Sequence, residues 1–273
     1  MSTPGDRELL FTKEEWDAAV PFVVKEMTEH LRAFRTPIFK NMGEYCDGWG
    51  TGSYLQIGKR VFVLTNEHVA KARSSNQLIH QFVGDETFQP VVGNHIAKCL
   101  PHDLALLPVN EKSWKIPNRK SKSIPLDRIS PAHNPVPTEI MTFTGFSGQE
   151  AKFYFNTMNY TGTCYTSREV PLPQDERFSS QFHFGLDYRP DLATQVIGNK
   201  GLPVPPGLSG STVWNTRFVE TRIAGQEWKP DLAVVTGVVW GWPSGAGCLV
   251  ATRAEYLQVF LREAAEFTHD SAD

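Results

Sequence analysis

Apolar residues recur at spacings of three and four near the start of the chain: Trp16, Val20, Val23, Met27, Leu31 and Phe34. Residues at those intervals share one face of an α-helix. Thr12-Lys13-Glu14-Glu15 just ahead fits a capping box, in which a threonine hydroxyl and a glutamate three residues on satisfy free backbone N–H groups. Pro21 falls inside the stripe and predicts a kink or two short helices, because it lacks an N–H and crowds the preceding turn. From about residue 45 to 250 the pattern becomes short β-like runs broken by Gly, Pro, Asn and Ser. The runs 53–57 and 60–65 flank Gly58-Lys59 and read as a hairpin. Further runs at 103–109, 139–144, 152–165, 181–186 and 232–240 predict strands, and Pro- and Asn-rich stretches at 117–137 and 198–207 predict long loops. At the far end, Tyr256, Leu257, Phe260, Leu261 and Ala264 share one helical face within 254–267. The expectation is an N-terminal helical extension over 1–44, followed by a large antiparallel β domain over 45–273 that closes with a helix.

Length and composition narrow the class. The 273 residues are 40% hydrophobic and 21% charged, a globular composition with enough chain to bury a core. Twenty-seven basic against 30 acidic residues give a net charge of −3, which argues against nucleic acid as the main partner. There is no apolar run long enough to span a membrane, and the polar start lacks the apolar stretch of a signal peptide, so a cytoplasmic protein is expected. Cys46, Cys99, Cys164 and Cys248 lie far apart and read as small buried hydrophobes in a reducing compartment. No Cys/His cluster has the spacing of metal ligands, so neither a metal nor a cofactor is expected.

Three segments carry candidate chemistry. Leu64-Thr65-Asn66-Glu67-His68-Val69 is a hydrophobic strand ending in a histidine. His102-Asp103-Leu104-Ala105-Leu106-Leu107 is an aspartate entering a buried strand, and Pro206-Gly207-Leu208-Ser209-Gly210-Ser211 places a serine between glycines. Taken singly, each has an ordinary structural explanation. Taken together, their order is His, Asp, Ser, with 103 − 68 = 35 and 209 − 103 = 106 residues between them. That order separates the set from α/β-hydrolases and subtilisins, which arrange the same residue types differently.

On these residues the chain resembles the trypsin/chymotrypsin-like serine peptidases, closest to bacterial and intracellular members. Gly50-Thr51-Gly52-Ser53-Tyr54-Leu55 is similar to their opening strand, and Gly237-Val238-Val239-Trp240-Gly241 to the strand that walls their substrate pocket. The resemblance implies a chymotrypsin-like double β-barrel, with barrels near 45–125 and 136–253 and a C-terminal helix over 254–267. It further implies a catalytic triad of His68, Asp103 and Ser209, and an oxyanion hole from the N–H groups of Gly207 and Ser209. Pro203, Val239, Trp240 and Gly241 would line the substrate pocket. The substrate would be a protein or peptide, with no cofactor.

Ser147 in Gly145-Phe146-Ser147-Gly148 is a rival serine, but it falls where the family has a structural strand end. Two departures from the family stand out. Leu208 occupies the place of the acid that pairs with a freshly cut N-terminus, so activity without proteolytic activation is expected. Val239 occupies the place of the serine that supports the catalytic aspartate. No carboxylate lies between Gly198 and Ser209, so non-basic residues are expected in the pocket unless Asp187 or Asp191 reaches it. A competing reading is an inactive trypsin-like domain that binds proteins, with the N-terminal helix as docking arm for a regulatory partner.

Overall fold

The β-branched and aromatic runs pair into two antiparallel sheets of seven strands each, in the computed structural model, which describes residues 12–147, 152–154, 157–159, 162–193, 196 and 204–269. The first sheet contains β1 (Arg35–Asn41), β2 (Cys46–Ile57), β3 (Arg60–Thr65), β4 (Gln77–Gln81), β5 (Phe88–Pro90), β6 (Ile96–Lys98) and β7 (Leu104–Pro108), in the order β5-β4-β1-β2-β3-β7-β6. Next along the chain come β8 (Met141–Gly145), the small hairpin β9 (Lys152–Tyr154) and β10 (Thr157–Asn159), and β11 (Thr163–Ser167). They are followed by β12 (Glu169–Val170), β13 (His183–Asp187), β14 (Thr212–Asn215), β15 (Val234–Gly241) and β16 (Cys248–Arg253). The second sheet runs β11-β8-β14-β15-β16-β13-β12. This is an all-β, double-barrel-like architecture, with a helix at either end: α1 (Lys13–Leu31) and, after the short helices α2 (Glu67–Lys71), α3 (Glu111–Trp114) and α4 (Phe218–Ile223), α5 (Ala254–His269).

Each sheet has its own core, one around Tyr54, Val63, Leu78 and Leu107, the other around Phe143, Phe184, Leu208 and Val213. A third cluster joins the sheets and both terminal helices: Val23, Met27 and Leu31 of α1 meet Leu55, Leu64, Trp214, Val238, Leu257 and Phe260. Each such buried side chain contributes about 1.5–3 kcal/mol of hydrophobic stabilisation, so the N-terminal helix is part of the core rather than an appendage. Its apolar stripe is therefore covered by the protein itself, and a regulatory partner docking on that face, one of the sequence expectations, is not compatible with the structure.

Three local expectations are corrected. Helix α1 is one helix through Pro21 rather than two short ones, because Pro21 faces solvent, where water can take up the carbonyl it leaves free, while Val23, Val24, Met27 and Leu31 hold the other face. The run 152–165 is not one strand: Tyr154 pairs with Thr157, so the chain reverses between β9 and β10 before β11 begins. Strand β1 lies within the residues assigned to the helical extension, yet it pairs with β2 and β4 inside the first sheet. Pro37 obscures it in the sequence, but β4 pairs only from Ile38 onward, so the missing N–H falls outside that ladder.

Among the described residues, no helix is long and apolar enough to cross a membrane. The four cysteines are free, and they are not uniformly buried as expected: Cys248 is buried, Cys46 and Cys164 are half-buried, and Cys99 is exposed.

Candidate active site

Strand register brings the first two candidate residues together. In the antiparallel pair β3–β7, Thr65 lies opposite Ala105, so the residues just after 65 face those just before 105. His68 sits in the first turn of α2, and Asp103 immediately precedes β7. The Asp103 carboxylate is 4% exposed and takes both of its hydrogen bonds from one residue. The His68 backbone N–H donates to Oδ1 at 3.0 Å, and His68 Nδ1 lies 2.6 Å from Oδ2. A carboxylate facing Nδ1 places the proton there and leaves Nε2 with a free lone pair. The imidazole itself is 43% exposed, with its other edge open to the cleft.

Holding the aspartate there requires unusual backbone. Asp103 has φ +48°, a left-handed conformation that Asp tolerates better than most residues because its short polar side chain bonds locally. Asn66 locks it by donating from Nδ2 to the Asp103 carbonyl at 2.7 Å. The second sheet grips the same loop: His183 Nε2 donates to Pro101 O at 2.6 Å, and Thr252 Oγ1 donates to His102 O at 2.7 Å. His183 Nδ1 accepts the Ser179 N–H, so this imidazole is neutral, and burial lowers its pKa accordingly. His102 points away from the cleft, against Phe182 and Tyr256.

Ser209 comes from the opposite side, in the turn that leads into β14. Its carbonyl accepts the Thr51 N–H at 2.8 Å, and the next residue, Gly210, donates to Val239 O at 2.8 Å. A side chain at Gly210, which has φ +90°, would place its Cβ 2.0 Å from Thr51 O, so only glycine lets the turn approach β2. A Cβ at Gly50 would meet the Val69 side chain at 2.9 Å and the Ser209 carbonyl at 3.4 Å, so both sides of the junction crowd this position. Leu208 is buried in the second core, and Gly207 has φ +99°. Among the described residues, the N–H groups of Gly207 and Ser209 have no acceptor within the chain, and no hydrogen bond joins Ser209 Oγ to His68. Catalytic hydrogen bonds of this kind commonly tighten only when substrate is bound.

Of the pocket residues expected from sequence, Val239, Trp240 and Gly241 lie together at the end of β15, beside the Ser209 turn. Trp240 meets Phe178 edge-on at 5.5 Å and His183 at 5.1 Å, which gives the wall an aromatic character. Pro203 lies outside the described residues. Val239 brings no hydroxyl to Asp103, whose carboxylate is held by His68 alone. Asp187, the acid considered for the pocket, is clasped by Arg189 through two bonds of 2.7 and 2.6 Å, with Arg168 at 3.6 Å. Hydrogen bonding to Arg189 lowers its pKa, so this carboxylate stays ionised with its charge already balanced by arginine. Ser147 is fully buried and donates to Val204 O at 3.1 Å, out of reach of any substrate. Sequence reasoning missed Thr51, Asn66, His183 and Thr252. All four act through backbone carbonyls or N–H groups, which leave no residue-type pattern.

No family model matches the chain, and no curated protein matches it. Among solved structures it is similar to the serine protease domain of the Sesbania mosaic virus polyprotein, at 14% identity over 84% of this chain and 92% of that one, with a TM-score of 0.46. It is also similar to the Rv3671c protease of M. tuberculosis in an inactive form, at 16% identity over 89% and 95% of the two chains, with a TM-score of 0.47. A third is tobacco etch virus protease complexed with product, at 11% identity over 87% and 81%, with a TM-score of 0.47.

Proposed function

We propose that this protein is a serine endopeptidase that cleaves protein or peptide substrates through an acyl-enzyme. The observation that carries the reading is the doubly bonded His68–Asp103 pair, set across one junction from a tight turn whose Gly207 and Ser209 N–H groups have no acceptor among the described residues. Ser209 Oγ attacks the scissile carbonyl while His68 Nε2 takes its proton. Asp103 holds the Nδ1–H tautomer and stabilises the imidazolium that results. The two N–H groups meet the oxyanion of the tetrahedral intermediate, and such a donor is typically worth about 3–4 kcal/mol. Collapse expels the amine, which takes the proton from His68. Water, activated by the same imidazole, then releases the acid and restores Ser209.

The apolar and aromatic wall of Val239, Trp240 and Gly241, together with the engaged Asp187, favours neutral side chains in the primary pocket. Cleavage profiling in a peptide library checks this, and dominant cleavage after Lys or Arg would overturn it. The unformed Ser209–His68 bond favours the competing reading, a binding module without activity. A fluorophosphonate probe separates the two: in the wild-type chain the Ser209 oxygen displaces fluoride and the chain gains the mass of the probe less HF, and Ser209→Ala does not. Failure of the wild type to label refutes the peptidase reading.

A further inference from the structure

Thr51 is fully buried, and its three polar groups make four hydrogen bonds at the point where the two halves of the site meet. Its N–H donates to Ser209 O at 2.8 Å, and its C=O accepts from Thr65 Oγ1 at 2.8 Å. Its hydroxyl donates to Gly207 O at 2.7 Å and accepts from the Phe146 N–H at 2.9 Å. The hydroxyl has a single proton. Phe146 offers only an N–H and Gly207 only a carbonyl, so both bond directions are determined.

These four bonds tie three segments together. Thr65 ends β3, three residues before His68; Phe146 follows β8; and Gly207 and Ser209 flank Leu208 in the nucleophile turn. Gly207 at φ +99° has no side chain to hold its conformation, so what limits rotation of the Gly207–Leu208 peptide is its carbonyl bond to Thr51 and its N–H bond from Leu208 to Pro205 O. The Gly207 N–H belongs to the peptide before this one and the Ser209 N–H to the peptide after it. A 207–208 peptide free to rotate would therefore loosen the frame that holds both donors toward a developing oxyanion, and donors that must reorganise lose most of their value.

We propose that Thr51 is a positioning residue for the oxyanion turn: its hydroxyl clamps the Gly207 carbonyl, while its main chain ties the Ser209 turn to the β3 end that carries His68. This rests on the peptidase reading above. Thr51 touches neither substrate nor reacting atoms, and it differs from a merely structural threonine in what its loss should change.

The test compares Thr51→Val, which keeps the shape and deletes the hydroxyl, with Thr51→Ser, which restores it. Thr51→Ala, which leaves room for a water, is the second variant should the valine protein fail to fold. Fluorophosphonate labelling, steady-state kinetics and amide hydrogen exchange over residues 204–211 are measured on each full-length chain. Thr51→Val should label roughly 10- to 100-fold more slowly, below the loss expected for deleting an oxyanion donor outright. Its kcat should fall with KM unchanged, its pH profile should stay in place because the His68–Asp103 pair is untouched, and the Leu208 amide should exchange faster. Thr51→Ser should restore rate and protection together. Labelling of the valine and alanine variants at the wild-type rate with unchanged exchange overturns the proposal, as does an equal loss in Thr51→Ser. Faster exchange in Thr51→Val but not in Thr51→Ser, in a chain whose wild type never labels, upholds the clamp and removes the peptidase reading instead.

Discussion

Asp103→Asn probes the site at its best-defined contact. The substitution is nearly isosteric and leaves the Asn66 bond to the residue 103 carbonyl untouched, so the backbone at φ +48° has no new reason to move. What changes is the partner of His68 Nδ1, which lies 2.6 Å from Oδ2 in the wild type. An amide NH₂ turned toward Nδ1 forces the proton onto Nε2, where it blocks removal of the Ser209 proton. An amide oxygen turned that way keeps the tautomer but no longer offsets the imidazolium charge. At an effective dielectric near 20, opposite charges this close attract by about 4–6 kcal/mol. Because the imidazole is 43% exposed, solvent screening favours the lower end of that range. At 1.36 kcal/mol per decade, the expected loss in kcat/KM is about 10³-fold, with up to 10⁴ if the wrong tautomer dominates. The assay is the second-order rate of fluorophosphonate labelling, with Ser209→Ala as floor and the urea midpoint as fold control. A loss under tenfold with an unchanged midpoint would mean that Asp103 does no more than build the loop, and the reasoning fails.

Four other outcomes are expected. Burial holds the His80 imidazole down to about 3, against about 6.5 unfolded, so the unfolded chain binds more protons in that window and stability is lost as pH falls from 6.5 toward 3. Between pH 6.5 and 5 the urea-derived stability of the wild type should drop by about 2 kcal/mol more than that of His80→Phe, and parallel curves would contradict this. Leu208→Asp sets a carboxylate among Phe143, Tyr165 and Val213, and should lower stability by several kcal/mol by denaturant titration; an acid tolerated there would mean that the turn is not anchored by hydrophobic burial. Met27→Ala should cost about 2–4 kcal/mol in the same titration, and a loss under 0.5 kcal/mol would mean that α1 is dispensable to the core. Intact protein should label without trimming near Arg35, where a cut would detach α1 at the start of β1; labelling that appears only after trimming would reverse the expectation drawn from Leu208.

The sheets were legible in the chain because their strands are short, largely buried apolar runs punctuated by Gly, Pro, Asn and Ser, and the stripe of α1 was legible because its buried face repeats every three to four residues. The His68–Asp103 juxtaposition follows from antiparallel pairing of two apolar runs, which the Leu64-Thr65 and Leu104-Ala105 motifs announce. Strand β1 was hidden because Arg35, Pro37 and Lys40 break its alternation, although Arg35 is buried in the fold. The Thr51 and His183 contacts were hidden for a different reason. A threonine in a strand and a histidine in a strand are common, and what distinguishes these two is which distant carbonyl each one meets.

The burial of α1 has a consequence for the order of events during synthesis. The surface that covers its stripe is made by β8, β11 and the turn at Pro230–Leu232, with Trp214 beside Phe34, all far downstream in the chain. The helix thus waits, with much of its apolar side uncovered, until elements more than a hundred residues beyond it have been made. Such long-range closure slows folding and leaves sticky surface exposed for longer than local pairing would. It also couples two clocks: β8 and β11 emerge before the segment carrying Ser209 and Pro230–Leu232 after it, so the cover of α1 is complete only once the Ser209 turn has been made. A nascent chain halted before residue 207 would carry His68 and Asp103 with no Ser209 turn to set opposite them.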